Sequence, residues 1–171
     1  TVADNITLGE EPAGRLGLLS KSAALVEARR VVADLGFDLQ AEAKVDHLPR
    51  GKQQMVEICK AVRASPRLLI LDEPTASLSE HDTQALFALV RRLKAAGTAI
   101  VYITHRLHEI AQIGDEVTVL RDGRQVGTVP ADTRESRLVE LMTGRAVSDI
   151  YPTLPAVPAR AAVRLALRGL D

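Results

Sequence analysis

The sequence predicts an α/β fold with a parallel sheet, and two patterns indicate it. Two short apolar segments, "RLLIL" at 67–71 and "TAIVYI" at 98–103, are bounded by turn residues and have the length of buried strands. Segments with apolar residues at helical spacing lie before, between and after them. Because apolar strands alternate with amphipathic helices, we expect a parallel sheet with helices on both of its faces.

The remaining elements are predicted from apolar stripes and from residues that begin or end helices. Gly36 and Gly97 are expected to end helices, and Ser79 is expected to cap one. Asp122 and Gly123 form a typical hairpin turn. In chain order we predict a short helix and a loop (1–20), helices (22–35, 53–63, 79–96 and 106–113), a β-hairpin (116–129) and a last helix (134–143).

Composition excludes several classes of function. The 22 basic and 22 acidic residues balance, and aromatic residues are scarce, so nothing favours a nucleic-acid partner. The single cysteine, Cys59, cannot form an internal disulfide, which suits a reducing compartment. No apolar run approaches the roughly 20 residues that span a bilayer, and the first residues lack the pattern of a signal peptide.

Two adjacent acids follow the first predicted strand. Asp72 and Glu73 end the segment "RLLILDEP", at the carboxyl end of a strand, where open α/β sheets bind ligands. Asp-Glu-Pro is also common in loops, so a helix cap or a turn is the structural alternative. The chemistry of the neighbouring segments decides between these interpretations.

Three segments accompany the acids in a fixed order: "LPRGKQQMVEI" before them, "SLS" directly after "DEPTA", and "VYITHR" about thirty residues later. Together they resemble the nucleotide-binding domain of ATP-binding cassette (ABC) transporters over roughly residues 1–145. The resemblance implies a partial P-loop NTPase core with a parallel sheet, a helical subdomain and a small C-terminal β-hairpin. It also implies ATP and Mg²⁺ as cofactors.

The same resemblance implies roles for the acids and for one histidine. Asp72 would hold Mg²⁺, mostly through water, and Glu73 would polarise the attacking water, both within a Walker B motif. His105 would contact the γ-phosphate; its structural alternative is a cap of the following helix. The other histidines lack such a context and are expected at the surface: His47, His81 and His108.

Two further motifs follow from the resemblance, and one departs from the family. Ser77, Leu78 and Ser79 are similar to the D-loop, which crosses to a partner domain. The ATP-contacting signature would be formed by Leu48, Pro49, Arg50, Gly51 and Lys52, where the family usually has Leu-Ser-x-Gly-Gln. Pro49 lacks the hydroxyl that would contact the γ-phosphate, and Lys52 could supply charge to the phosphate instead.

The run "GKQQMVEICKAV" is similar to importers of the ribose, xylose and galactose type, in which one chain carries two nucleotide-binding domains. We therefore expect residues 1–147 to be part of the first domain, with a helical subdomain at about 1–64 and a Walker B half at about 65–147. A Pro-rich linker is expected at 148–162 and the first strand of a second domain at 163–171. The chain contains no G-x-x-x-x-G-K-[ST] loop, since "GLLSKS" at 17–22 lacks the needed glycine.

The leading hypothesis is thus the ATPase subunit of a sugar importer, present as a fragment that is expected to be inactive alone. Its expected partners are membrane permease subunits, a second nucleotide-binding domain and, indirectly, a periplasmic sugar-binding protein, with no nucleic acid. The expected location is the cytoplasmic face of the inner membrane. Two alternatives remain: a soluble ABC ATPase of translation or DNA repair, and a non-catalytic degenerate fragment or interaction module.

Overall fold

A computed structural model describes residues 1–13 and 18–145 of the chain. Its elements are α1 (Val2–Thr7), α2 (Lys21–Leu35), a 3-10 turn (Val45–His47), α3 (Arg50–Arg63), β1 (Leu68–Asp72), α4 (Glu80–Ala95), β2 (Ala99–Ile103), α5 (Leu107–Ile113), β3 (Glu116–Arg121), β4 (Arg124–Pro130) and α6 (Glu135–Thr143). The chain divides into two compact units, the first Thr1–Asp115 and the second beginning at Glu116. The predicted linker at 148–162 and strand at 163–171 lie outside the described residues.

The first unit contains the predicted parallel strand pair. β1 and β2 pair in register from Leu68 opposite Ala99 to Asp72 opposite Ile103. Because successive residues of a strand point to opposite faces, Leu69 and Leu71 enter the core, where both are buried. The apolar side chains of the opposite face are between 46% and 60% exposed: Leu68, Ile70, Val101 and Ile103. Within the described residues, helices therefore cover one face of the sheet, whereas the continuous apolar strands predicted helices on both faces.

The helices of the first unit follow the predicted apolar stripes. In α2, Ala28, Val32 and Leu35 are buried, and Gly36 ends the helix in the left-handed conformation (φ 71°). In α4, the hydroxyl of Ser79 accepts the backbone N–H of Asp82 at 3.2 Å, which is the predicted N-cap. The core joins the apolar faces of α1, α2, α3 and α4 to the inner face of the sheet.

Helix α3 begins three residues earlier than the sequence predicts. Gln53 was the expected first residue, whereas the helix begins at Arg50 with Pro49 as its N-cap. Proline lacks a backbone N–H and has a fixed φ, so it is tolerated at a helix start, where no intrahelical partner is needed. The shift matters because it places three residues of the predicted signature segment in the first helical turn.

The second unit contains the predicted hairpin and the last predicted helix. β3 and β4 pair antiparallel, with an irregularity between Val119 and Leu120. Asp122 and Gly123 form the turn with φ values of 52° and 73°, which suits the twist of a two-residue hairpin loop. Leu138 is the buried residue of α6, which packs against β3.

Within residues 1–13 and 18–145, none of the helices combines the length and the apolar character that crossing a bilayer requires.

Candidate active site at the strand ends

The two predicted catalytic residues lie together where the parallel strands end. The ladder extends one residue past β1, since the backbone N–H of Glu73 donates to the carbonyl of Ile103 at 2.9 Å. His105 follows Ile103 by two residues, and its Nδ1 lies 2.9 Å from Oε1 of Glu73. Because a carboxylate only accepts, the imidazole Nδ1–H donates in this contact. Parallel pairing thus brings side chains 32 residues apart in the chain into direct contact.

Both side chains are accessible, and neither is used to cap a helix. The side chain of Glu73 is 48% exposed and that of His105 is 65% exposed. Helix α4 is capped by Ser79 rather than by the acids. Helix α5 has Arg106 at its N-cap without a side-chain cap bond, so His105 does not cap it. The cap alternatives that the sequence left open for Glu73 and His105 are therefore not realised. The turn is realised, because the carbonyl of Glu73 accepts the backbone N–H of Ala76 at 3.2 Å.

Glu73 lies in a strained backbone conformation. Its φ is 43°, in the left-handed region that side chains other than glycine, asparagine and aspartate rarely adopt. Such residues cluster at functional sites, where the surrounding structure holds them in place. Here the hydrogen bond of its N–H to Ile103 and the contact of its carboxylate with His105 hold Glu73 on both sides.

The acids suit a magnesium ion that receives most of its ligands from elsewhere. The described part of the chain holds no group of three or more His, Cys, Asp or Glu side chains that could bind a metal ion. Asp72 is exposed at the end of β1, and Mg²⁺ is commonly held by one or two carboxylates together with water and substrate phosphates. The carboxylate of Asp72 therefore suits a Mg²⁺ ion that is also bound by water and by nucleotide phosphates. It does not suit a metal ion whose ligands all come from the protein.

The predicted signature and D-loop segments are in contact within this chain. A Cβ built on Gly51 would lie 2.3 Å from the carbonyl oxygen of Ser77, so only glycine allows this approach. Leu78 packs against the core, and its N–H donates to the carbonyl of Thr75, which folds the D-loop into a turn. The start of α3 and the segment after β1 thus share one backbone contact.

The side chains around Gly51 are also engaged. Nζ of Lys52 lies 2.9 Å from Oδ2 of Asp38, and this hydrogen bond lowers the pKa of Asp38. Nε2 of Gln53 donates to the carbonyl of Leu48 at 2.8 Å, which ties α3 to the residue before its cap. Pro49 and Arg50 are exposed. The three histidines predicted at the surface are exposed as expected: His47, His81 and His108.

Sequence analysis did not predict a role for one residue of this region, Glu109. Glu109, in α5, is fully buried and accepts hydrogen bonds from side chains at the ends of both strands. A signal was present, because Glu109 precedes the apolar Ile113 by four residues and so shares its inward face. An acid on the buried face of a short helix is unusual enough to indicate a specific partner set.

Comparison with known proteins identifies the fold. Residues 1–76 match a family model described as ABC transporter. The ATP-binding cassette of an ABC transporter, solved in a twinned crystal, superposes with a TM-score of 0.65 at 22% identity, over 82% of this chain and 62% of that chain. A cassette solved as a dimer bound to ADP and Pi gives 0.65 at 22% identity, over 78% and 58%. The fold is therefore that of an ABC ATPase cassette.

Curated relatives are similar to the chain over nearly its whole length. A ribose import ATP-binding protein, RbsA 1 of Streptomyces avermitilis, is 46% identical over 170 residues, 99% of this chain and 32% of the relative. An arabinose import ATP-binding protein, AraG of Ralstonia nicotianae, is 44% identical over 172 residues, 99% of this chain and 33% of the relative. Nearly the whole chain is similar to these ATP-binding proteins, and it spans about a third of the length of these curated relatives.

Proposed function

We propose that this chain is part of an ATP-hydrolysing subunit that energises the import of a monosaccharide. The observation that carries the proposal is the 2.9 Å contact between Glu73 and His105 at the ends of adjacent parallel strands. At that edge of an α/β sheet, where ligands bind, the carboxylate of Glu73 can accept a proton from a bound substrate. The imidazole of His105 can contact the same substrate as a second polar group. The similarity to ribose and arabinose import ATP-binding proteins supports the substrate class of the transporter.

In this proposal each predicted residue has one role. Glu73 accepts the proton of the attacking water on its free oxygen, since the other oxygen accepts from His105. His105 contacts the γ-phosphate. Asp72 would hold Mg²⁺ through water, and the ion would supply neutralisation of the phosphate charge.

The signature segment would bind nucleotide held by a second domain. Pro49 offers no hydroxyl, and the charge of Lys52 is paired with Asp38. Contact with phosphate would therefore come mainly from the first-turn N–H groups of α3, which lack partners inside the helix. The D-loop would face that second domain through Ser77, because Gly51 and Ser77 touch and so present one continuous surface. Leu78 and Ser79 anchor the D-loop, since Leu78 packs against the core and Ser79 caps α4.

The partners and the location follow from the same proposal. A subunit of this kind works on permease subunits at the cytoplasmic face of the inner membrane and pairs with a second nucleotide-binding domain. A periplasmic sugar-binding protein would deliver the sugar, and no nucleic acid is involved. The balanced charge of the chain agrees with a protein partner rather than a polyanion.

The test uses the full-length protein, reconstituted with its permease in liposomes, with ATP hydrolysis and sugar uptake measured together. Glu73→Gln keeps the shape and removes the proton acceptor, so we expect hydrolysis at this site to fall by on the order of 100-fold or more. Glu57→Gln, at an exposed position on α3, is the matched control and should leave both activities unchanged. Hydrolysis that survives Glu73→Gln as it survives Glu57→Gln would refute the assigned role. A full-length protein without any hydrolysis would favour an interaction module.

A further inference from the structure

Glu109 is the one fully buried acid among the described residues, and four side-chain groups converge on it. Its Oε1 accepts the hydroxyl of Thr75 at 2.6 Å. Its Oε2 accepts the hydroxyl of Tyr102 at 2.9 Å and that of Thr104 at 3.0 Å. The guanidinium of Arg106 lies 3.8 Å from Oε1. A buried carboxylate is costly unless it is hydrogen-bonded and paired, and this one is both.

These partners lie beside the two candidate catalytic residues. Thr75 follows Glu73 by two residues and begins the turn that becomes the D-loop. Thr104 and Arg106 are the two neighbours of His105 in the chain. The hydroxyl of Thr104 also accepts the backbone N–H of Arg106 at 3.0 Å, which closes the loop around the histidine. One carboxylate therefore bonds to both loops that carry the reactive pair.

The hydroxyl partners are fixed as donors. An ionised carboxylate only accepts, so each hydroxyl must direct its hydrogen toward Glu109. Burial raises the pKa of Tyr102 well above its ordinary value, and the hydrogen bond and charge of Glu109 raise it further. The hydroxyl of Tyr102 is therefore protonated, and remains a donor, at neutral pH. These hydrogen bonds tie both loops to the same carboxylate.

We propose that Glu109 is a positioning residue that holds the loop after β1 and the loop after β2 at the separation needed for the contact between Glu73 and His105. The inference rests on the proposed hydrolysis. Glu109 lies behind the reactive pair and acts through Thr75, Thr104 and Arg106, without touching the substrate. Its loss should lower the rate of the chemical step and leave nucleotide affinity almost unchanged.

The kinetic test uses the full-length protein with its permease. Thr75→Val keeps the shape of the side chain and removes the hydroxyl donor, whereas Thr75→Ser keeps the donor. We expect Thr75→Val and Glu109→Gln to lower kcat by about 10-fold to 100-fold, with the KM for ATP within about twofold, because small displacements of reacting groups have effects of that size. Thr75→Ser should restore kcat to within about twofold of the wild type. Glu57→Gln is the control for removing a carboxylate charge.

Hydrogen exchange of the same proteins without nucleotide gives a readout that is independent of activity. In Glu109→Gln and Thr75→Val, peptides covering 73–79 and 103–107 should exchange faster, while a peptide covering α2 should not change. Faster exchange throughout the first unit, or a loss of kcat that Thr75→Ser fails to restore, would overturn the proposal and make Glu109 a purely structural residue. Unchanged exchange in both loops would also overturn it.

The outcomes for the two proposals are separable. If Glu73→Gln abolishes hydrolysis while Glu109→Gln and Thr75→Val leave kcat unchanged, the proposed function stands and the positioning role fails. If the full-length wild type does not hydrolyse ATP, the proposed function fails. In that case, local acceleration of exchange in the two loops still supports the link that Glu109 makes between them, and its absence refutes that link.

Discussion

Replacing Gly51 by alanine tests the contact between the start of α3 and the D-loop. The added Cβ would lie 2.3 Å from the carbonyl oxygen and 3.3 Å from the carbonyl carbon of Ser77. Carbon–oxygen contacts ordinarily begin at about 3.3 Å, so the overlap with the oxygen is about 1 Å. The obstacle is backbone, which cannot rotate away as a flexible side chain would.

Two effects of opposite sign decide the result. Alanine stabilises a helix relative to glycine by about 1 kcal/mol. Overpacking costs about 1–3 kcal/mol, and a rigid backbone obstacle places this site in the upper half of that range. We therefore expect Gly51→Ala to destabilise the first unit by about 1–2 kcal/mol in spite of the better helix former.

The assay is urea denaturation followed by circular dichroism, together with hydrogen exchange of a peptide covering 76–79. Exchange of that peptide should accelerate, because Ser77 has to move. Gly127→Ala is the control, since the nearest atom to its Cβ, Cδ2 of Leu141, is at an ordinary 3.6 Å. An increase in the free energy of unfolding by Gly51→Ala, with unchanged exchange at 76–79, would show that the two segments are not in contact and would refute the reasoning.

Three other substitutions or treatments test the described packing. Phe87 is fully buried in α4, so Phe87→Ala should cost about 3–5 kcal/mol in urea denaturation, while Val26→Ala at an exposed position should cost little; equal effects would contradict the core assignment. Ser79→Ala removes the cap of α4 and should cost about 1 kcal/mol in the same assay, and a neutral result would argue against the cap. Burial raises the pKa of Cys59 to about 12, so the folded protein should resist alkylation at pH 8 and react only on unfolding; rapid labelling of the native state would contradict its burial.

Most of the fold could be predicted from residues that act on their immediate neighbours in the chain, such as those that begin or end helices. Ser79 and Gly36 act at short range, so the helix boundaries that they set could be recognised without tertiary information. The start of α3 was misplaced because Pro49 was not expected to serve as an N-cap. The exposed outer face of the sheet could not be anticipated either, since the apolar run of β1 is compatible with cover on one face or two.

The candidate site, like the fold, could be predicted from the sequence only in part. The contact of Glu73 with His105 was foreseeable, because the carboxyl ends of adjacent parallel strands meet at one edge. The buried network of Glu109 was not, since a lone acid in a short helix does not reveal which hydroxyl groups it will meet. The approach of Gly51 to Ser77 is a backbone contact between residues distant in the chain, and sequence spacing carries no information about it.

The left-handed backbone of Glu73 has an evolutionary consequence. At a φ of 43° a glutamate is less favourable than glycine by about 1–2 kcal/mol. The backbone conformation at this position therefore favours glycine over the glutamate that is present. A library of substitutions at this codon, selected only for folding yield, should enrich glycine. Under the proposed function, the same library in the full-length protein, selected for sugar-dependent growth, should retain glutamate, because no other side chain offers a carboxylate at that reach. One codon would then respond in opposite directions to two selections, and folding yield alone would be a misleading measure of fitness at this site.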